Sequence, residues 1–177
     1  LFFHLAAAFI YYHEIAHLIQ FQKNGELDAI ENPSNPNAFT IDRHAKELDA
    51  DIFASIYVFK HIIKYWRKLP EEYRNSDSLK KLIAIGSAAA GSFLLLFIDF
   101  SGKMYYEEKT HPHSLLRSFA ISNTMIDFAL IELSHTKEAE LNKPELIEAC
   151  ILFLDSLFPK IASEHKFDRL KEIFKGE

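Results

Sequence analysis

LFFHLAAAFIYYHEIAHLIQFQKN, residues 1–24, is the stretch on which the reading of this chain turns. Its apolar residues predict a long helix over residues 1–23 that stops at Asn24-Gly25, a good C-terminal signal. On that helix His13 and His17 are four positions apart, so both imidazoles project from one face, one turn apart, where they can reach a single metal ion. Glu14 falls on the neighbouring side of the helix. There it can hold an attacking water without ligating the metal, the arrangement found in H-E-x-x-H hydrolases. The competing reading is plain: two histidines and a glutamate that meet by chance on a buried helix. The opening run leads directly into the motif, so this helix is expected at the centre of the core.

Glycine is scarce, proline falls at apparent breaks, and apolar residues recur at intervals of three and four, so the fold class read from the sequence is mainly α. A single domain spanning residues 1–177 is expected, one that lacks its natural N-terminus because Leu1 is not an initiator methionine. Turn-rich GELDAIENPSNPNAFT follows the first helix and can form a small β-hairpin near residues 26–41. A second helix is expected from Asp42 to Leu69, ended by Pro70, and a third from Ser76-Asp77. A loop over residues 101–110, a helix from about Pro112, another from Lys143 to Phe158, and a last one after Pro159 complete the outline. Within the third helix, LIAIGSAAAGSFLLLFI (residues 82–98) runs 17 residues without a charge, at the lower edge of what crosses a bilayer. Its small residues also suit a helix packed closely in a protein interior, which is the preferred reading.

The second helix offers the third ligand. In KELDAD, Glu47 and Asp51 are four apart and share a face, with His44 one turn earlier. Charges on a helix commonly form a solvated face, and Arg43 or Lys46 could pair with them. The patch, however, leads straight into apolar IFASIYVF, so its helix is expected to be substantially buried, and a buried carboxylate needs a cationic partner. Glu47 is therefore the expected third metal ligand. Asp51 is the expected acceptor for the second N–H of a ligand histidine.

HEIAH followed by ELDAD resembles the HExxH plus ExxAD pattern of the gluzincins, zinc peptidases with a glutamate ligand. A further stretch, THPHSLLR, is similar to the HPxxxxR element of the CAAX prenyl protease and HtpX group, with His111 and Arg117 at matching spacing. The resemblance implies that His111 helps hold the tetrahedral intermediate and that Arg117 buttresses the site. His113 shares a helix face with Arg117 and is a rival for the role of His111; either histidine could equally be a helix cap. In motif style and length the chain is also similar to the phage-exclusion peptidase Lit and its relatives, intracellular enzymes that cut a host translation factor. Two departures stand against the first group: its members are mostly integral to membranes, and gluzincins align substrate on a sheet edge for which no strand is visible before the HExxH helix. His4, His61, His135 and His165 lack ligand-like spacing.

The composition is that of a globular protein, with 49% hydrophobic and 14% aromatic residues. A formal charge of -5 with interspersed signs gives no basic stripe, so no nucleic-acid partner is expected. The lone cysteine, Cys150, lies in apolar ACILFL and reads as a reduced core residue, which favours a cytoplasmic setting, with membrane association as the alternative. Taken together, these expectations describe a zinc endopeptidase acting on a protein or peptide, with His13, His17 and Glu47 on the metal and Glu14, His111 and Arg117 serving the chemistry. A zinc-stabilised inactive scaffold and a membrane-embedded peptidase are the alternatives.

Overall fold

The computed structural model describes residues 1–24, 41–95 and 112–157. These form five α-helices: α1 (Phe2–Asn24), α2 (Ile41–Trp66), α3 (Ser76–Leu95), α4 (Ser114–Thr136) and α5 (Lys143–Leu157), with a short 3-10 turn at Glu71–Tyr73. The described residues contain no strand, so the fold is mainly α. The expected hairpin, the 101–110 loop and the helix after Pro159 lie outside the described residues.

The α2 helix is amphipathic, and its buried residues recur as pairs or singles (Ala50 and Asp51, Ala54 and Ser55, Val58 and Phe59, Ile62 and Ile63, then Trp66) at intervals of three and four along one face. It stops at Trp66, one turn short of the expected Leu69. Arg67 N still bonds Ile63 O (2.9 Å), and the two amides after it close i→i−3 bonds (Lys68 N to Tyr65 O and Leu69 N to Trp66 O, both 3.0 Å), because a residue before proline is disfavoured in the α region. Asn75 then caps α3 by accepting the Ser78 N–H at its Oδ1 (2.9 Å), and Trp66 donates its indole N–H to the Ser78 hydroxyl (3.1 Å), tying the end of α2 to the start of α3. Asn142 caps α5 in the same way through the Glu145 N–H (2.9 Å).

The hub of the bundle is α3, which packs against all four other helices. Its small residues permit this: Ser87, Ala88, Ala89 and Ala90 are buried, and a Cβ on Gly86 would collide with the Cδ1 of Ile62 from α2. Among the described residues no helix is long and apolar enough to cross a membrane. The first helix, expected at the centre, lies instead at the edge. It packs on α2 and α3 through Leu5, Phe9, His13 and Ala16, and it leaves Phe3, Tyr11, Leu18 and Phe21 exposed. A helix apolar on every side carries no pattern that says which side is covered. The buried stripe of α1 delivers His13 to the α1–α2 contact.

Candidate metal centre

One turn of α1 and one turn of α2 face each other across this contact. The His13 and His17 rings stand perpendicular (88°) with centroids 4.6 Å apart, and Phe9 stacks on the far side of His13. Their Nε2 atoms are 3.0 Å from one another. From α2, Glu47 brings Oε2 to 3.6 Å from His13 Nε2 and Oε1 to 3.4 Å from His17 Nε2. Ligand-capable atoms of His13, His17 and Glu47 lie within 4.8 Å of one another. Metal–ligand bonds of about 2.0–2.1 Å place the corners of a tetrahedron about 3.3 Å apart, and the three observed separations bracket that edge. Two imidazoles and one carboxylate are also the donor chemistry of an open zinc site. The residues fit a metal ion.

Behind these ligands lies a buried ionic layer. Asp51, wholly enclosed, sets Oδ1 3.0 Å from His13 Nδ1. The contact departs from a straight hydrogen bond, yet Asp51 is the carboxylate that this nitrogen faces. Arg117, from the first turn of α4, donates Nε–H to Asp51 Oδ2 (2.7 Å) and Nη2–H to Asp51 Oδ1 (2.9 Å), and its Nη2 also lies 3.1 Å from Glu47 Oε2. Burial alone would raise the Asp51 carboxyl, but the hydrogen bonds and charge of Arg117, with the close polar contact of His13, outweigh it and hold the group below its ordinary value. For Arg117 burial works against the charged form, and the bond to Asp51 with the charges of Asp51 and Glu47 raises it instead. Asp51 thus stays an anion, which accepts but cannot donate, and this favours the proton on His13 Nδ1 and a lone pair on Nε2.

Glu14 takes no part in the three-residue cluster. It is exposed, and with His17, Leu18, Gln20, Phe21 and Lys46 it lines an open cleft of about 430 Å³ beside the cluster. A carboxylate in solvent contact next to a metal-capable site can exchange protons with a water or substrate in that cleft.

A model of the peptidase U49 family matches residues 2–139, a span that includes every residue named in the cluster and its ionic layer. The chain belongs to the peptidase U49 family. Membership supports peptidase activity on a protein or peptide substrate. No curated protein and no solved structure matches the chain.

The remaining candidate residues of this U49 chain are unevenly placed. Arg117 stands against Asp51 and Glu47, as described. His113 is buried where α4 begins, and its carbonyl accepts the Arg117 N–H (3.2 Å). His111 lies outside the described residues. His44 sits half-buried on α2 and is not part of the metal-capable group. Cys150 is buried in the core with its Sγ 3.7 Å from the Ser87 hydroxyl, far in the chain from the site. His4 and His61 meet edge to face at 5.5 Å, and Tyr12 lies 3.2 Å from His61 Nε2, on a part of the α1–α2 contact that serves packing. Sequence reasoning missed Gln20, whose Oε1 is 2.9 Å from His17 Nδ1. The signal available was its position three residues after His17, on the same helix face.

Proposed function

We propose that this chain is a zinc-dependent endopeptidase of the gluzincin type, in which His13, His17 and Glu47 hold the metal. The observation that carries the reading is the convergence of two Nε2 atoms and one carboxylate at tetrahedral spacing, with Glu14 on the adjoining cleft wall. Zinc bound by such residues supplies a Lewis acid that brings the pKa of water down to about 7. Glu14 accepts a proton from the attacking water and passes it to the departing amine. Arg117 neutralises Asp51 and leans on Glu47, so both carboxylates keep their orientation. His111, by the resemblance of HPHSLLR to HPxxxxR, steadies the oxyanion, a role for which buried His113 is the rival. The exposed apolar side chains of Leu18 and Phe21 give the substrate chain a surface beside Glu14. The likeness to Lit in motif style points to an intracellular protein as substrate. An inactive, zinc-stabilised scaffold is less well supported, because a purely structural site has no use for an exposed glutamate at the position of Glu14.

The test is Glu14→Gln. The amide keeps the shape of the side chain and leaves the three metal-holding residues untouched, so zinc content and thermal stability are expected to stay near those of the parent. Proteolysis, read on a casein or peptide-library substrate or as toxicity on expression, is expected to fall by at least about a hundredfold. A variant that retained all proteolytic and cellular effects would refute the enzyme reading.

A further inference from the structure

Gln20 is joined to two partners at once. Its Nε2 donates to the backbone carbonyl of Lys46 (2.9 Å), and its Oε1 lies 2.9 Å from His17 Nδ1. A carbonyl oxygen can only accept, so the Lys46 carbonyl fixes which end of the Gln20 amide faces α2. The amide oxygen is thereby turned toward His17, and it too can only accept. His17 Nδ1 must then carry the proton, and the neutral ring bears its lone pair on Nε2, the atom that faces His13 Nε2 at 3.0 Å and Glu47 Oε1 at 3.4 Å.

The Lys46 carbonyl belongs to the peptide unit that leads into Glu47. One side chain therefore sets the tautomer of a histidine on α1 and grips the backbone next to the carboxylate on α2. We infer that Gln20 is a positioning residue, which presents the His17 lone pair to the metal and holds His17 and Glu47 at ligand spacing. The inference rests on the metal-site reading above. It gives His17 the counterpart of what Asp51 gives His13: on each ligand ring, a side chain on the far nitrogen assigns the near one to the site. Asp51 acts with a charge stabilised by Arg117, whereas Gln20 acts with a neutral amide, whose orientation is dictated by the backbone.

The experiment uses the full chain, parent, Gln20→Leu and Gln20→Glu. Zinc affinity is measured by competition with a chromophoric chelator, and the His17 tautomer is read from histidine-labelled protein by nitrogen NMR, with and without zinc. Gln20→Leu removes both bonds, and it is expected to weaken zinc binding by at least about tenfold, in the range usual for partners of ligand histidines, while His17 becomes a mixture of tautomers. Gln20→Glu can still accept from Nδ1–H, although it repels the Lys46 carbonyl, and it is expected to restore the tautomer and part of the affinity. A residue that merely touched substrate would change KM and leave both readouts alone. If the parent bound no zinc, the metal reading would fail, but the tautomer comparison would still report on Gln20. The inference is overturned if the parent carries its proton on His17 Nε2, or if Gln20→Leu leaves the tautomer unmixed whatever its affinity.

Discussion

A guanidinium enclosed by protein needs an anion, and Arg117 has two, Asp51 and Glu47. Removing one member of a buried pair strands the other, so Arg117→Leu is expected to destabilise the metal-free protein by about 3–5 kcal/mol, read from urea unfolding. Arg117→Lys keeps the charge but not the fork that spans both oxygens of Asp51, and should fall between leucine and the parent. Acid makes the complementary prediction. Because the folded Asp51 pKa lies below its unfolded value of about 3.9, the stability it contributes is complete above that value and is lost as pH falls through the lower folded one. The parent should lose stability more steeply than Asp51→Asn below about pH 4, measured by unfolding at stepped pH. The spacings His13–His17 and Glu47–Asp51 were legible in the sequence because helix pitch alone puts residues four apart on one face. Gln20 was not, since its meaning depends on a backbone carbonyl, a group every residue possesses. Arg117 emerged only through family resemblance, since a separation of 66 positions from Asp51 carries no local signal.

Helices behave differently from single side chains in what their sequences disclose. Breakers announced themselves: Pro70 reads as the stop of α2, and the ends of α2 and α5 fell within one turn of expectation, whereas the caps Asn75 and Asn142 came from the structure. Which helix stands at the centre was concealed, because α1 is apolar all round while α3 owes its central place to small residues that admit four neighbours. One helix end is strained. Lys137, just past Thr136, has φ 54° while its N–H bonds the Leu133 carbonyl (2.8 Å), a left-handed stop usually given to glycine. Left-handed backbone costs a non-glycine residue about 1–2 kcal/mol, partly offset by the greater chain entropy glycine loses on folding. Lys137→Gly is therefore expected to stabilise the fold by up to about 1 kcal/mol, visible as a higher thermal midpoint. Lys137→Val should lower it.

For the molecule as a whole, the proposed metal joins α1 to α2, two helices that already share an extensive contact. A ligand that binds only the folded state stabilises it by mass action, about 4 kcal/mol at a thousandfold excess over its Kd. The unfolding midpoint should accordingly climb with free zinc, at about one zinc per chain by elemental analysis, and return on chelation. Glu47→Ala should flatten that dependence, whereas Glu14→Gln should preserve it. The brace of the site has a further consequence in time. During synthesis α1 and α2 leave the ribosome before α4, and Asp51 and Glu47 must wait for it before Arg117 can neutralise them, a delay of about three to thirteen seconds at ordinary elongation rates. Until then the acidic layer cannot be sealed from water without leaving a stranded charge. On the proposed peptidase reading, a nascent chain thus passes through a stage in which its site is encoded but unassembled, and α4, the helix that brings Arg117, would act as its latch.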